Sequence, residues 1–208
     1  MEMTRKLPPP VRNRALQIAH HEMGHYVVAR ALGFETGGVS LTVTIDLRHK
    51  GCATINLVRP ISSMDAMRAY LEARIIMLFA GAMAQTLPSA SVGAKRVDLS
   101  DAAAILNGAL GAERDDAKIR ELRHLLRNIS YPDTGLASSD RIATELKAIN
   151  DCLWLRAQEM VEAWAETITG LGAALVDRMV LVEQWGRPAD TYEVVLTGVS
   201  LEPIWPVC

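Results

Sequence analysis

The sequence has few aromatic residues, few cysteines and no excess of charge of either sign. Its 208 residues include 5% aromatic residues and three cysteines, and 22 Lys and Arg stand against 24 Asp and Glu, for a net charge of -2. Without a basic surplus, neither a nucleic-acid-binding module nor a membrane-surface protein is expected. The odd cysteine count, with no C-x-x-C spacing, argues against a disulfide framework and a cysteine zinc site, and it favours a cytoplasmic protein.

Long apolar segments are also absent. No apolar h-region follows the basic residues near the N-terminus, so a secretory signal is not expected. The longest uncharged run lies between Arg74 and Lys95, but its apolar part stops near Ala84, which predicts a buried helix instead of a membrane span. The sequence contains neither a G-x-x-x-x-G-K-[ST] phosphate loop nor an internal repeat.

Apolar residues, which make up 50% of the chain, recur mostly at helical spacing. This periodicity predicts a mainly α protein with a small β-hairpin. A first helix is expected at residues 11–32, a second begins at a capping box at Ser62, and a third begins near Asp98. Further helices are expected at 113–127 and from 140 to about 169, and a shorter one follows to 184. The runs at 39–45 and 52–58 predict the hairpin, and 192–196 predicts a further strand.

The same pattern divides the chain into three parts. Residues 1–10, which end in three prolines, are expected to form a flexible N-terminal tail. Residues 11–186 form the predicted domain. Residues 187–208, after a Gly-Arg-Pro sequence, are expected to form a C-terminal extension.

The most informative motif is His21-Glu22-Met23-Gly24-His25, an H-E-x-x-H sequence within the first predicted helix. Two histidines four residues apart project from one helical face, so both imidazoles can reach one zinc ion. Glu22 is turned aside and is not expected to be a ligand. Its carboxylate is placed to act as the general base toward a zinc-bound water. A catalytic site of this kind needs a third protein ligand and an open position.

Four segments resemble the FtsH-type zinc peptidase family, the proteolytic half of membrane-anchored AAA+ proteases. AHHEMGHYVVARALG resembles its zinc-binding helix and LFAGAMAQTL its glycine-containing helix. VGAKRVDLSDAAAI resembles the segment that carries its third ligand, and RAQEMVEAWAETITGLGAALVDRMVL its closing helical pair. The resemblance implies a helical, zincin-like metallopeptidase domain.

The resemblance also implies roles for single residues. The zinc ligands would be His21, His25 and Asp98, with Glu22 as the catalytic base. The family has one residue fewer before its aspartate, so Asp101 is a competing candidate for the third ligand. Where the family has acidic residues after the glycine-containing helix, this chain has Gln85 and Thr86, so support of the histidines is expected to differ.

The second strand of the hairpin is implied to bind substrate. In the family the corresponding strand lies beside the zinc and pairs with the substrate backbone. The residues that this places against a substrate are Gly51, Cys52, Ala53 and Thr54.

The leading hypothesis is a zinc-dependent metalloendopeptidase that cleaves unfolded or flexible protein segments. Family members carry an ATPase module and membrane helices that this sequence lacks, so the chain is expected to work without ATP by itself or with a separate ATPase in trans. The alternative is a regulatory or scaffold protein that keeps the peptidase fold and binds a protein partner. The sequence leaves the oligomeric state open.

Overall fold

The computed structural model describes residues 7–88, 96–109, 112–132, 138–182 and 190–201. Within these ranges the chain is mainly helical and carries a small antiparallel sheet, as the sequence predicts. The helices are α1 (Pro9–Ala31), α2 (Met64–Gln85), α3 (Leu99–Ala104) with a π-turn at Ile105–Ala109, α4 (Glu113–Ser130), α5 (Ser139–Ala163), α6 (Ala165–Asp177) and α7 (Gly198–Leu201). The strands are β1 (Glu35–Thr44), β2 (His49–Asn56), β3 (Val180–Val182) and β4 (Thr191–Leu196).

Helix α1 is the centre of the fold. It packs against α2, α6 and the strands β1 and β2, so every residue at positions 18–29 is buried. The sequence pattern suggests one apolar stripe, but neighbouring elements cover the helix on all sides. Gly33 ends it with a φ of 78°, which glycine adopts without strain, and its N–H donates to the carbonyl of Arg30 at 3.0 Å.

Small residues let α1 and α2 approach closely. A Cβ atom placed at Gly24 would lie 2.6 Å from the carbonyl oxygen of Ala80 and 2.5 Å from the Cβ of Ala84. The backbones of α1 and α2 are therefore in close contact at this point. In the part of the chain that the structure describes, no helix combines the length and the apolar character that crossing a membrane requires.

The sheet has the strand order β2-β1-β4-β3, and all its neighbours are antiparallel. Strand β4 pairs with β1 through the register Val39 to Leu196 and Thr44 to Thr191. The sequence assigns β4 to a C-terminal extension, but these pairs make it an internal strand of the sheet. Residues 1–6, 187–189 and 202–208 of the predicted tail and extension lie outside the described residues, whereas Pro9 and Pro10 already belong to α1.

Several predicted boundaries shift. Helix α2 is capped by Ser63, not Ser62, because the Ser63 hydroxyl accepts the N–H of Ala66 at 3.1 Å. The long helix predicted at 140–169 is divided at Trp164, whose φ of -103° and ψ of 13° leave the helical region. The last helix is expected to continue to residue 184, but α6 ends at Asp177 and Val180–Val182 form strand β3. Periodicity alone does not detect such breaks, because apolar residues continue across them.

Candidate metal centre

Three side chains from two helices converge on one point. His21 and His25 lie one turn apart on α1, with 3.1 Å between their Nε2 atoms. The Oδ2 atom of Asp115, in the first turn of α4, lies 3.4 Å from the Nε2 of His21 and 3.1 Å from that of His25. Ligand atoms about 2.0 to 2.1 Å from a tetrahedral metal are about 3.3 Å apart. The three atoms therefore have the spacing of ligands around one small metal ion.

The other ring nitrogens of the two histidines are held by acceptors. The Nδ1 of His21 donates to the Oε1 of Gln85 at 2.9 Å, and the Nδ1 of His25 donates to the carbonyl oxygen of Met77 at 2.8 Å. A neutral imidazole with its proton on Nδ1 has a free lone pair on Nε2. Two such lone pairs and the carboxylate oxygen of Asp115 face one another, and a cation bound between them would stabilise this arrangement.

In the metal-free protein a proton takes the place of that cation. Burial by itself would lower the pKa of His25, but the hydrogen bond and charge of Asp115, with the charge of Glu22, outweigh it and raise the pKa to about 8. Burial favours the neutral form of Asp115, yet hydrogen bonds from His21 and His25 hold the pKa of this carboxyl well below its ordinary value. The site therefore attracts positive charge.

Metal affinity is expected to fall as the pH drops below about 8, because the metal must displace the proton from His25. For the metal-free protein, stability is expected to change with pH in the opposite direction. The raised pKa of His25 stabilises the fold below its unfolded value of about 6.5, and this stabilisation is lost as the pH rises through about 8. Thermal unfolding of chelated and metal-loaded protein from about pH 6 to 9 measures both effects. A Tm gain from metal that does not grow with pH would contradict this expectation.

Gly81 on α2 leaves the space that the two imidazoles occupy. A Cβ atom at this position would lie 2.9 Å from the Nε2 of His21 and would overlap the ring of His25. Both rings are nearly buried and fixed at their other nitrogens, so neither can move aside freely. The glycine is therefore required at the centre itself.

Gly81→Ala is expected to lower metal affinity by at least about tenfold, since shifted ligands lose the geometry that the outer hydrogen bonds impose. The matched control is Gly170→Ala on α6, because a Cβ there would meet no atom within 4 Å. That control should keep native affinity and gain about 0.5 to 1 kcal/mol of stability. Metal titration with a competing dye measures the affinity of both variants, and thermal unfolding measures their stability. Equal affinities for the two variants would show that the space at Gly81 is not needed.

The third ligand predicted from the sequence requires correction. Asp98 is exposed and caps α3, where its Oδ1 accepts the N–H groups of Ser100 and Asp101 at 2.9 and 3.0 Å. Its own N–H donates to the hydroxyl of Thr86. Asp101 is exposed in the first turn of α3. Neither aspartate belongs to the cluster around the histidines, where the structure places Asp115.

The sequence places Asp115 in the helix predicted at 113–127 and gives little indication that it is a metal ligand. Glu113, Asp115 and Asp116 together form an acidic first turn of that helix. Acidic residues at a helix N-terminus are equally explained by the helix dipole. Asp115 is distinguished by packing, since α4 lies against α2 and the side chain is 15% exposed. Its second oxygen, Oδ1, lies 3.3 Å from the Nζ of Lys118.

Glu22 lies beside the three converging side chains without belonging to them. It is 9% exposed and lines the cleft that opens at the centre. Strand β2 packs directly on it, because a Cβ at Gly51 would lie 2.7 Å from the Cγ of Glu22. The carboxylate therefore lies between the predicted metal ligands and the edge of the sheet.

The cleft follows strand β2, which is one of the two edge strands of the sheet. Two connected recesses of about 370 and 350 Å³ meet at His21, Glu22 and Gly51. Of the predicted substrate-binding residues, Gly51, Cys52 and Ala53 line the cleft, whereas Thr54 is exposed and does not. Substrate binding by this strand stays a prediction.

No protein-family model matches the chain, and no curated protein matches it.

Proposed function

We propose that the chain is a zinc-dependent peptidase with a zincin-like fold, in which His21, His25 and Asp115 hold the metal and Glu22 is the general base. The observation that carries the proposal is the convergence of two Nε2 lone pairs and one carboxylate oxygen beside a second carboxylate that is not a ligand. Three protein ligands leave the fourth tetrahedral position open to water. That donor set is typical of catalytic zinc, whereas structural sites use four protein ligands.

When bound, zinc polarises the scissile carbonyl and lowers the pKa of a water molecule to about 7. The carboxylate of Glu22 accepts the proton of the attacking water and returns it to the nitrogen of the leaving amine. Gln85 and Met77 keep the protons of His21 and His25 on Nδ1, so that both Nε2 atoms stay directed at the centre. These residues need no rearrangement during turnover.

The position of β2 favours extended substrates. An edge strand has unpaired N–H and C=O groups, and an unfolded segment can add to it as a further strand. The scissile bond would then lie beside Gly51, in the recess that Glu22 also lines. A compact domain cannot offer such a segment, so flexible or unfolded proteins are the proposed substrates, as in the FtsH-type peptidases that the sequence resembles.

The test measures the metal content of the purified protein together with its cleavage of unfolded casein. One zinc per chain and cleavage that is lost with a chelator and restored by zinc are expected. ATP alone should leave the rate unchanged, because the sequence contains no phosphate loop. A protein that binds no metal at these residues, or that cleaves equally well after metal removal, would contradict the proposal.

A further inference from the structure

The cleft at the metal centre is basic, although the chain as a whole has a net charge of -2. Two acidic side chains line it, Glu22 and Asp115, and four basic ones, Lys50, Arg74, Arg114 and Lys118. Lys118 is paired with Asp115. Among the residues that the structure describes, the other three cations have no carboxylate within ion-pair distance. A bound divalent metal adds further positive charge, so the cleft attracts anions.

Arg74 is the basic residue most fully built into the cleft. It lies on α2 on the same face as Leu78 and Gly81, four and seven residues later, and one turn before Met77, which holds His25. Its side chain is partly buried, and its Nε is buried with no hydrogen-bond partner in the described chain. Arg68, earlier on the same helix, also has a buried Nε without a partner, but it does not line the cleft. Arg74 lines the cleft and has no carboxylate partner among the described residues, so its guanidinium is available to an anionic group that enters there.

The surroundings of Arg74 strengthen such a contact. The recess that Arg74 lines also has apolar side chains in its wall, namely Ile55, Leu57, Met77 and Leu78. A charge pair beside low-dielectric walls is stronger than one in bulk solvent. A guanidinium also meets a carboxylate through two parallel hydrogen bonds, which adds geometric selectivity.

The helix sets the distance between this contact and the reacting bond. Seven residues separate Arg74 from Gly81, which touches both histidines, and a helix rises by about 1.5 Å per residue, so about 10 Å separate the two positions. An extended peptide advances by about 3.3 Å per residue. A peptide that runs along α2 would therefore bring a side chain two or three positions from the scissile bond to the level of Arg74.

We infer that Arg74 selects peptide segments that carry an acidic residue two or three positions from the bond to be cut. Lys50 and Arg114, at the opening of the cleft, attract such segments. The inference rests on the proposed peptidase function and names its substrate class. Segments with lysine at the same position are rejected by like charge.

The experiment first identifies the bonds that the zinc-loaded native protein cuts in unfolded casein, by mass spectrometry of the products. Glu and Asp should be enriched two or three positions from those bonds. Labelled peptides are then made around one bond with Glu, Gln or Lys at that position, and their binding to zinc-loaded Glu22→Gln protein is measured by fluorescence anisotropy. If no bond is cut, the binding measurement uses an apolar-rich casein peptide in which one position is Glu, Gln or Lys. The Glu peptide should bind about tenfold more tightly than the Gln peptide, the range of one charge-assisted contact.

Arg74→Gln should remove most of that tenfold preference. The matched control is Arg68→Gln, six residues earlier on α2, whose guanidinium lies 3.5 Å from Asp65 and does not line the cleft. This control should keep the preference. The Glu, Gln and Lys peptides are also compared on protein that keeps Arg74. The preference can therefore be measured even if the Arg74→Gln variant does not fold.

The outcomes separate the two proposals. Equal binding of the three peptides, or a preference that Arg74→Gln retains, overturns the role of Arg74 even if casein is cleaved. An Arg74-dependent preference in a zinc-loaded protein that cuts no bond supports acidic recognition and contradicts the peptidase function. Weakening of the preference at high salt is expected in addition.

Discussion

Glu22→Gln is expected to keep the metal and the fold while turnover falls by at least about a hundredfold. Glutamine has nearly the same volume, and Glu22 is not one of the three clustered ligands, so zinc content and Tm should stay close to native. The variant loses the carboxylate that accepts and returns the proton. Proton transfer by a positioned side chain contributes about 10² to 10⁴-fold, or roughly 3 to 5 kcal/mol of barrier. Casein cleavage under metal saturation measures the loss.

The control is Glu121→Gln on α4, an exposed acid outside the cleft, which should leave turnover unchanged. His21→Ala should lose metal and activity together, which separates a missing base from a missing metal. If the native protein holds zinc but cleaves no unfolded substrate, and Glu22→Gln keeps its biological effect, the peptidase proposal fails. The protein is then better explained as a regulatory or scaffold protein that binds a partner.

Asp115→Ala is expected to lower metal affinity by at least about a hundredfold, more than the 10 to 100-fold that loss of an outer-shell partner costs. The carboxylate oxygen of Asp115 lies within 3.4 Å of both imidazole nitrogens, so its removal takes away one of the three proposed ligands and one negative charge of the site. The pKa of His25 should also fall, since Asp115 contributes most to raising it. Competition with a zinc-binding dye measures the affinity, and the NMR titration of His25 measures the pKa.

Two aspartates nearby provide the comparison. Asp98→Ala should cost about 1 kcal/mol of stability through loss of the α3 cap and leave metal affinity near native. Asp101→Ala should change neither property much, because its side chain is exposed. A larger loss of affinity from Asp98→Ala than from Asp115→Ala would restore the ligand set that the family resemblance implies.

The local part of the site could be predicted from the sequence. The spacing of His21 and His25 fixes their common face once α1 forms, and α1 is specified by its apolar residues and by Gly33. The hairpin of β1 and β2 is also a local structure, because a short polar turn joins two β-prone runs. These features depend on residues close together in the chain, for which periodicity and turn composition are informative.

The third ligand could not be predicted in the same way. Asp115 lies 90 residues after His25, and it reaches the histidines only because α4 packs against α2. Asp98 has the sequence context of the family's ligand, but here its carboxylate is used to cap α3. From the sequence alone, an aspartate at a helix start can be either a cap for backbone N–H groups or a metal ligand. The choice between the two is made by tertiary packing.

Strand β4 has a consequence for how the protein is made. It inserts between β1 and β3, and the paired residues of β1 and β4 lie about 150 positions apart in the chain. Contacts of such high sequence separation close slowly, and on a ribosome β1 must wait for nearly all of the chain to emerge. Until then β1 exposes the edge that β4 will cover, which is open to other extended chains. A nascent chain of this protein is therefore expected to depend on chaperones during synthesis until β4 pairs with β1.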